Sequence, residues 1–138
     1  MDIFYRVAPS WSDGYTVRVQ LDNRPMVHAY VEKLKYGSPE QDPNWGKEPV
    51  PSHRPVDYPR VIMEESDVSL LGRTLVSIRV PLVSNEGGRA FDGTLYHLVI
   101  SGNGCDVGLT WGNSLPKELA KVKAIAQVLD KYARKSLT

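Results

Sequence analysis

The chain has one cysteine, three histidines, no long apolar run and almost no net charge, and each shortage removes a class of protein. Cys105 has no second cysteine to pair with, so a small scaffold stapled by internal disulfides is excluded. No uninterrupted apolar stretch is long enough to cross a bilayer as a helix. Met1-Asp2-Ile3-Phe4-Tyr5-Arg6-Val7 has no basic region leading into an apolar one, so a cytoplasmic location is expected. Seventeen basic and sixteen acidic side chains leave a net charge of +1. A nucleic-acid protein usually carries a concentrated basic excess, so that partner is not expected.

Catalytic motifs are equally scarce. His28, His53 and His97 show no metal-ligand spacing with one another or with Cys105. Gly102-Asn103-Gly104 joins two strands instead of opening a helix, which disqualifies it as a phosphate cradle. Glu64, Glu65 and Asp67 form the one acidic cluster. Read as part of a strand, the adjacent pair points to opposite faces, which suits a solvated edge. Nothing near Cys105 in the sequence supplies a base, so an inert, buried or half-buried thiol is expected there. An enzyme would need a site assembled from distant residues such as His53, Glu64 and His97. No cofactor is expected.

What is present is a scaffold. With 138 residues, 41% of them hydrophobic and 24% charged, the chain fits one domain over 1–138. Asn103-Gly104 is a strong two-residue hairpin signal, because a type I′ turn needs positive φ at both central residues. Centring the turn there pairs Ile100 with Val107, Leu98 with Leu109 and Tyr96 with Trp111, all apolar. The alternate face pairs Ser101 with Asp106, Val99 with Gly108 and His97 with Thr110. An earlier hairpin is expected to pair Val7 with Val17, Tyr5 with Val19 and Ile3 with Leu21.

Two segments are ambiguous. Over 22–37, Val27, Tyr30, Val31 and Leu34 follow helical spacing, while the same Val- and Tyr-rich run also suits a strand; helix is the preferred reading. Over 74–82, Thr74, Val76, Ile78, Val80 and Leu82 alternate as in a half-buried strand that ends near Pro81. Between them, residues 37–60 lose periodicity and hold six of the ten prolines, which marks a long loop. The chain closes with a helix expected over about 116–133. It is capped by Ser114, and Leu119, Val122, Ile125, Leu129 and Tyr132 lie in its apolar arc.

The run Asp92-Gly93-Thr94-Leu95-Tyr96-His97-Leu98-Val99-Ile100, then Trp111, a Pro-bearing turn and a final amphipathic helix, resembles the ends of small bacterial proteins of toxin-immunity or uncharacterised type. The resemblance covers the last third, carries no catalytic residue, and lacks the second Trp that often sits beside the first. It implies an immunity protein that neutralises a cognate toxin by masking it. The expected fold is α+β: a largely antiparallel sheet of about five or six strands with the C-terminal helix on one face. The expected partner-binding residues are Trp11, Trp45, His53 and Tyr58, in the first turn and the Pro-rich loop, where Trp and Tyr suit either core covering or a binding hot spot. A small-ligand or nucleic-acid module is the alternative.

Overall fold

Seven strands and two helices build the described part of the chain. The computed structural model describes residues 1–9, 13–22, 26–36, 53–78, 94–102, 104–112, 115 and 117–138, with the backbone alone at 34–36, 53–57 and 118. In chain order these are β1 (Asp2–Pro9), β2 (Gly14–Gln20), β3 (His28–Tyr36), β4 (His53–Asp57), β5 (Val61–Ile62), α1 (Glu65–Ser77), β6 (Thr94–Gly102), β7 (Cys105–Trp111) and α2 (Ala120–Leu137). A single 3-10 turn, Lys117–Leu119, leads into α2. The sheet runs β4-β3-β2-β1-β6-β7, with short β5 also on β3, and its pairings are antiparallel. The expected α+β architecture is therefore present, with the C-terminal helix against sheet strands.

The C-terminal hairpin has the expected register, with Tyr96 opposite Trp111, Leu98 opposite Leu109 and Ile100 opposite Val107. Gly104 sits at φ +74, the left-handed region its turn position requires. The first hairpin is shifted by two residues from expectation: Ile3 faces Val19, Tyr5 faces Val17 and Val7 faces Tyr15. An even shift leaves each side chain on the same face. The strands run on through Pro9 and resume at Gly14, so the connection is tighter than supposed. Gly14 permits this closure, because a Cβ there would lie 2.2 Å from the Val7 carbonyl oxygen.

Residues 28–36 are a strand, not a helix. Val27, Ala29 and Val31 are buried while His28, Tyr30 and Glu32 point to the other face, so period two prevails over the helical spacing. Residues 53–57, assigned to the loop, form a strand at one end of the sheet, where the missing N–H of Pro55 is tolerated. Of the strand expected over 74–82, residues 74–77 are the end of α1. Val76 is 81% exposed, whereas Val68, Leu71, Leu75 and Ile78 make a helical stripe against the core. The final helix is α2, extending to Leu137 beyond the expected end, with Val122, Ile125, Leu129 and Tyr132 buried. Ser114, Pro116 and residues 79–93 lie outside the described residues.

One core results. Ile3, Tyr5, Val17, Val19, Ala29, Val31 and Leu98 meet Leu71 and the apolar stripe of α2 on a single face of the sheet. α2 lies over β2, β3 and β5, and α1 packs against α2.

Candidate functional site

The opposite face of the sheet carries the side chains that alternate with the core. Across β3, β2, β1 and β6 the register aligns Tyr30, Arg18, Phe4 and Val99 in one row. The next row places Glu32, Thr16, Arg6, His97 and Thr110 side by side. No described helix contributes to this face. The Arg18 guanidinium lies 5.4 Å from the Phe4 ring centroid, and Phe4 meets His97 edge-on at 6.3 Å. The His97 Nδ1 is 2.8 Å from the Thr110 hydroxyl. Toward β3, Arg60 covers the Tyr30 ring at 4.2 Å, a cation–π contact that holds a long side chain in place.

A hollow of about 550 Å³ opens at that end, lined by Arg18, Gln20, Tyr30, Glu32, Tyr58 and Arg60. Of the four residues expected to bind a partner, Tyr58 is the one found here. Its backbone N–H donates to the Val31 carbonyl at 3.0 Å, and its half-buried ring leans on the core. His53 begins β4 opposite Tyr36. Trp11 and Trp45 lie outside the described residues. Arg18, Tyr30 and Arg60 were missed from sequence. Arg18 had a signal, alternating with Val17 and Val19, but Tyr30 became visible as its neighbour only once residues 28–36 were a strand.

The acidic cluster is not a solvated strand edge. Glu64 is the residue before α1 and Asp67 lies in its first turn, one helical turn apart on the same side. The Asp67 carboxylate accepts from Lys131 at 2.8 Å and from the Tyr132 hydroxyl. That hydroxyl in turn accepts the Glu64 backbone N–H at 2.8 Å. Glu64 accepts from Lys135 at 3.0 Å and Lys131 at 3.4 Å. The Lys131 hydrogen bond, then that of Tyr132, holds the Asp67 carboxyl below the usual range. Lys135 and Lys131 do the same for Glu64. Burial, reinforced by Asp67, pushes the Tyr132 hydroxyl up. All these shifts lock each group in its ordinary charge state, so the cluster fastens α1 to α2 and is poorly suited to exchanging protons.

The structure does not bring Glu64 and His97 together. Glu64 is engaged on the helix side of the molecule, while His97 lies on the opposite face of β6, three strands from β3. At about 4.8 Å per strand that is roughly 14 Å of sheet. Cys105, expected to be at least half-buried, is exposed, because it lies next to the turn at the free end of β7. Among the described residues no group of three metal-binding side chains gathers, and no helix is long and apolar enough to cross a membrane. Compared with family models, curated proteins and solved structures, the chain finds no match in any of the three.

Proposed function

We propose that this chain is a non-enzymatic binding protein that masks a protein partner with the open face of its sheet, and that the partner is a cognate bacterial toxin. The observation that carries the proposal is the arginine–aromatic hollow formed by Arg18, Tyr30, Tyr58 and Arg60 on a face no described helix covers. Arg and Tyr are enriched in binding hot spots, since both combine wide contact area with directional hydrogen bonding. A guanidinium already braced on an aromatic ring loses less freedom on docking, and its fork matches a carboxylate. Two guanidiniums against the single Glu32 carboxylate leave the hollow suited to an acidic segment of the partner. The toxin assignment rests on the resemblance of the last third of the chain to immunity-type proteins. Trp11, Trp45 and His53 extend the proposed interface.

The experiment is co-purification with the product of the adjacent gene, then calorimetry of Arg60→Ala, Arg18→Ala, Tyr58→Ala and Trp45→Ala. Arg18 and Arg60 are exposed, so their truncation should change folding stability by less than about 1 kcal/mol. Binding should weaken by about 2 kcal/mol or more for at least one of them. Wild-type affinity in both arginine variants would remove the open face from the interface. Turnover of a small substrate with no protein bound would overturn the masking function itself.

A further inference from the structure

The two ends of the sheet are finished differently. At one end β4 has 5 residues, among them Arg54, Pro55 and Asp57. Short length, proline and charge all guard an edge against an added strand. At the other end β7 is Cys105-Asp106-Val107-Gly108-Leu109-Thr110-Trp111, with no proline, no lysine and one charged residue. Its register with β6 is unbroken from Gly102–Cys105 to Tyr96–Trp111, so no bulge turns the edge away. Among the described residues no strand lies beyond it.

Hairpin geometry decides which backbone groups that edge offers. The pair flanking a two-residue turn exchanges both hydrogen bonds, and successive pairs then alternate. Gly102 and Cys105 flank the turn, so Cys105, Val107, Leu109 and Trp111 direct their N–H and C=O groups at β6. Asp106, Gly108 and Thr110 direct theirs outward, and all three are exposed. This outward set is symmetric about Gly108. Laid antiparallel on a second β7, it sets Gly108 against its own copy and Asp106 against Thr110 on either side, with about six backbone hydrogen bonds, two per pair. The side chains match in the same register. Val107 meets Leu109 of the second copy on the helix side, and Thr110 meets Asp106, a hydroxyl opposite a carboxylate, on the open side. Val107 and Leu109 are half-buried in the single chain, since α2 lies over β2, β3 and β5.

We infer that the chain forms a two-fold homodimer through β7, one sheet continuing into a second copy across the Gly108 pair. The edge fits a second copy in particular because its outward groups, apolar neighbours and polar neighbours all repeat about one residue. The axis stands perpendicular to the sheet, so both open faces lie on the same side and remain accessible. Dimerisation and partner masking therefore use different surfaces, and either can fail alone.

Sedimentation equilibrium of the full chain from micromolar to millimolar concentration tests the dimer, and a nitroxide on Cys105 tests its register. A reversible monomer–dimer equilibrium is expected. Cys105 lies three residues from the axis in each copy, so at about 3.4 Å per residue the two labels stand roughly 20 Å apart. A distance of about 14 Å or 27 Å would put the axis at Val107 or Leu109 and overturn the Gly108 register. Gly108→Pro removes the outward N–H at the centre of both copies and should weaken the dimer about tenfold or more. Gly108→Lys keeps the fold, since a Cβ there meets nothing within 4 Å. It sets two like charges opposite each other and should weaken the dimer about threefold. Gly108→Ala should dimerise like the wild type. A wild-type chain that stays monomeric at millimolar concentration overturns the proposal. So does wild-type dimer affinity in folded Gly108→Pro and Gly108→Lys.

Discussion

The two faces of the sheet are written into the same strands one residue apart and carry different loads. On the helix side, Ile3, Tyr5, Val17, Val19, Ala29, Val31 and Leu98 are buried to 7% exposure or less and meet the helices in one cluster. On the other side, Phe4, Arg18, Tyr30, Glu32 and His97 are half-buried or exposed, with Phe4 touching His97 and Arg18, and Tyr30 touching Arg60, through ring edges and guanidinium planes. Apolar area removed from water stabilises at about 25 cal/mol per Å², so the helix side supplies most of the folding energy. Cation–π and edge contacts at partly exposed sites contribute about 0.5–1 kcal/mol each, which positions side chains without fixing the fold. Adjacent residues on one strand should therefore tolerate substitution very differently.

Leu98 and Val99 test that contrast most sharply. Leu98 is fully buried between Tyr5 and Leu109, and Leu98→Ala should cost about 2–5 kcal/mol in urea unfolding. Val99 faces the open side between Phe4 and Gly108, and Val99→Ala should cost about 1 kcal/mol or less. Equal losses would mean that the open face is as much a core as the other.

A smaller effect should come from the clasp between α1 and α2, which is polar although it lies on the helix side. Asp67→Ala removes the acceptor of the buried Tyr132 hydroxyl and one partner of Lys131, at about 1–3 kcal/mol. The pH dependence has a defined sign. The folded Asp67 carboxyl is held below its ordinary 3.8, so its contribution is complete above that value and fades as pH falls through the folded one. Lys131 is raised above its ordinary 10.5, chiefly by Asp67, so its contribution persists below 10.5 and fades as pH rises through the folded value. Chemical denaturation from pH 2 to 7 should show a smaller acid loss in Asp67→Ala than in the wild type. Parallel curves would remove Asp67 from the acid response.

These same elements set the limit of what was legible from residues alone. The C-terminal hairpin was readable because turn chemistry and alternation agreed on one register. In the first hairpin β2 already begins at Gly14, so Asp13-Gly14 does not centre the turn; the faces were readable but the pairing was not, and the close approach at Gly14 is a backbone contact across the hairpin itself. Residues 28–36, expected as helix, and 74–77, expected as strand, take the other form because short apolar runs satisfy both periods, and the arbiter is tertiary: β2 offers β3 a partner, and α2 offers α1 two lysines. The site residues followed the elements. Tyr58, named from the Pro-rich stretch, lines the hollow, while Arg18 and Tyr30 come together only through the β2–β3 pairing and Arg60 joins them on the Tyr30 ring.

The smallest effect should be at Cys105, where both faces of the sheet give way to solvent. It pairs with Gly102 beside the hairpin turn and stands exposed on β7, a strand with β6 as its paired neighbour. An exposed side chain at a sheet end has little packing to lose, and Cys105→Ser changes one atom, so stability should shift by less than about 0.5 kcal/mol. The proposed partner binding through Arg18 and Arg60 should also be unchanged, since Arg18 lies three strands away on β2 and Cys105 shares the alternation of Val107, Leu109 and Trp111 on the helix side of β7. Paired calorimetry and unfolding of Cys105→Ser check both expectations under reducing conditions. A fall in partner affinity with intact folding would move the interface from the open face to the β7 edge. There, unpaired backbone groups rather than arginines would make the contact.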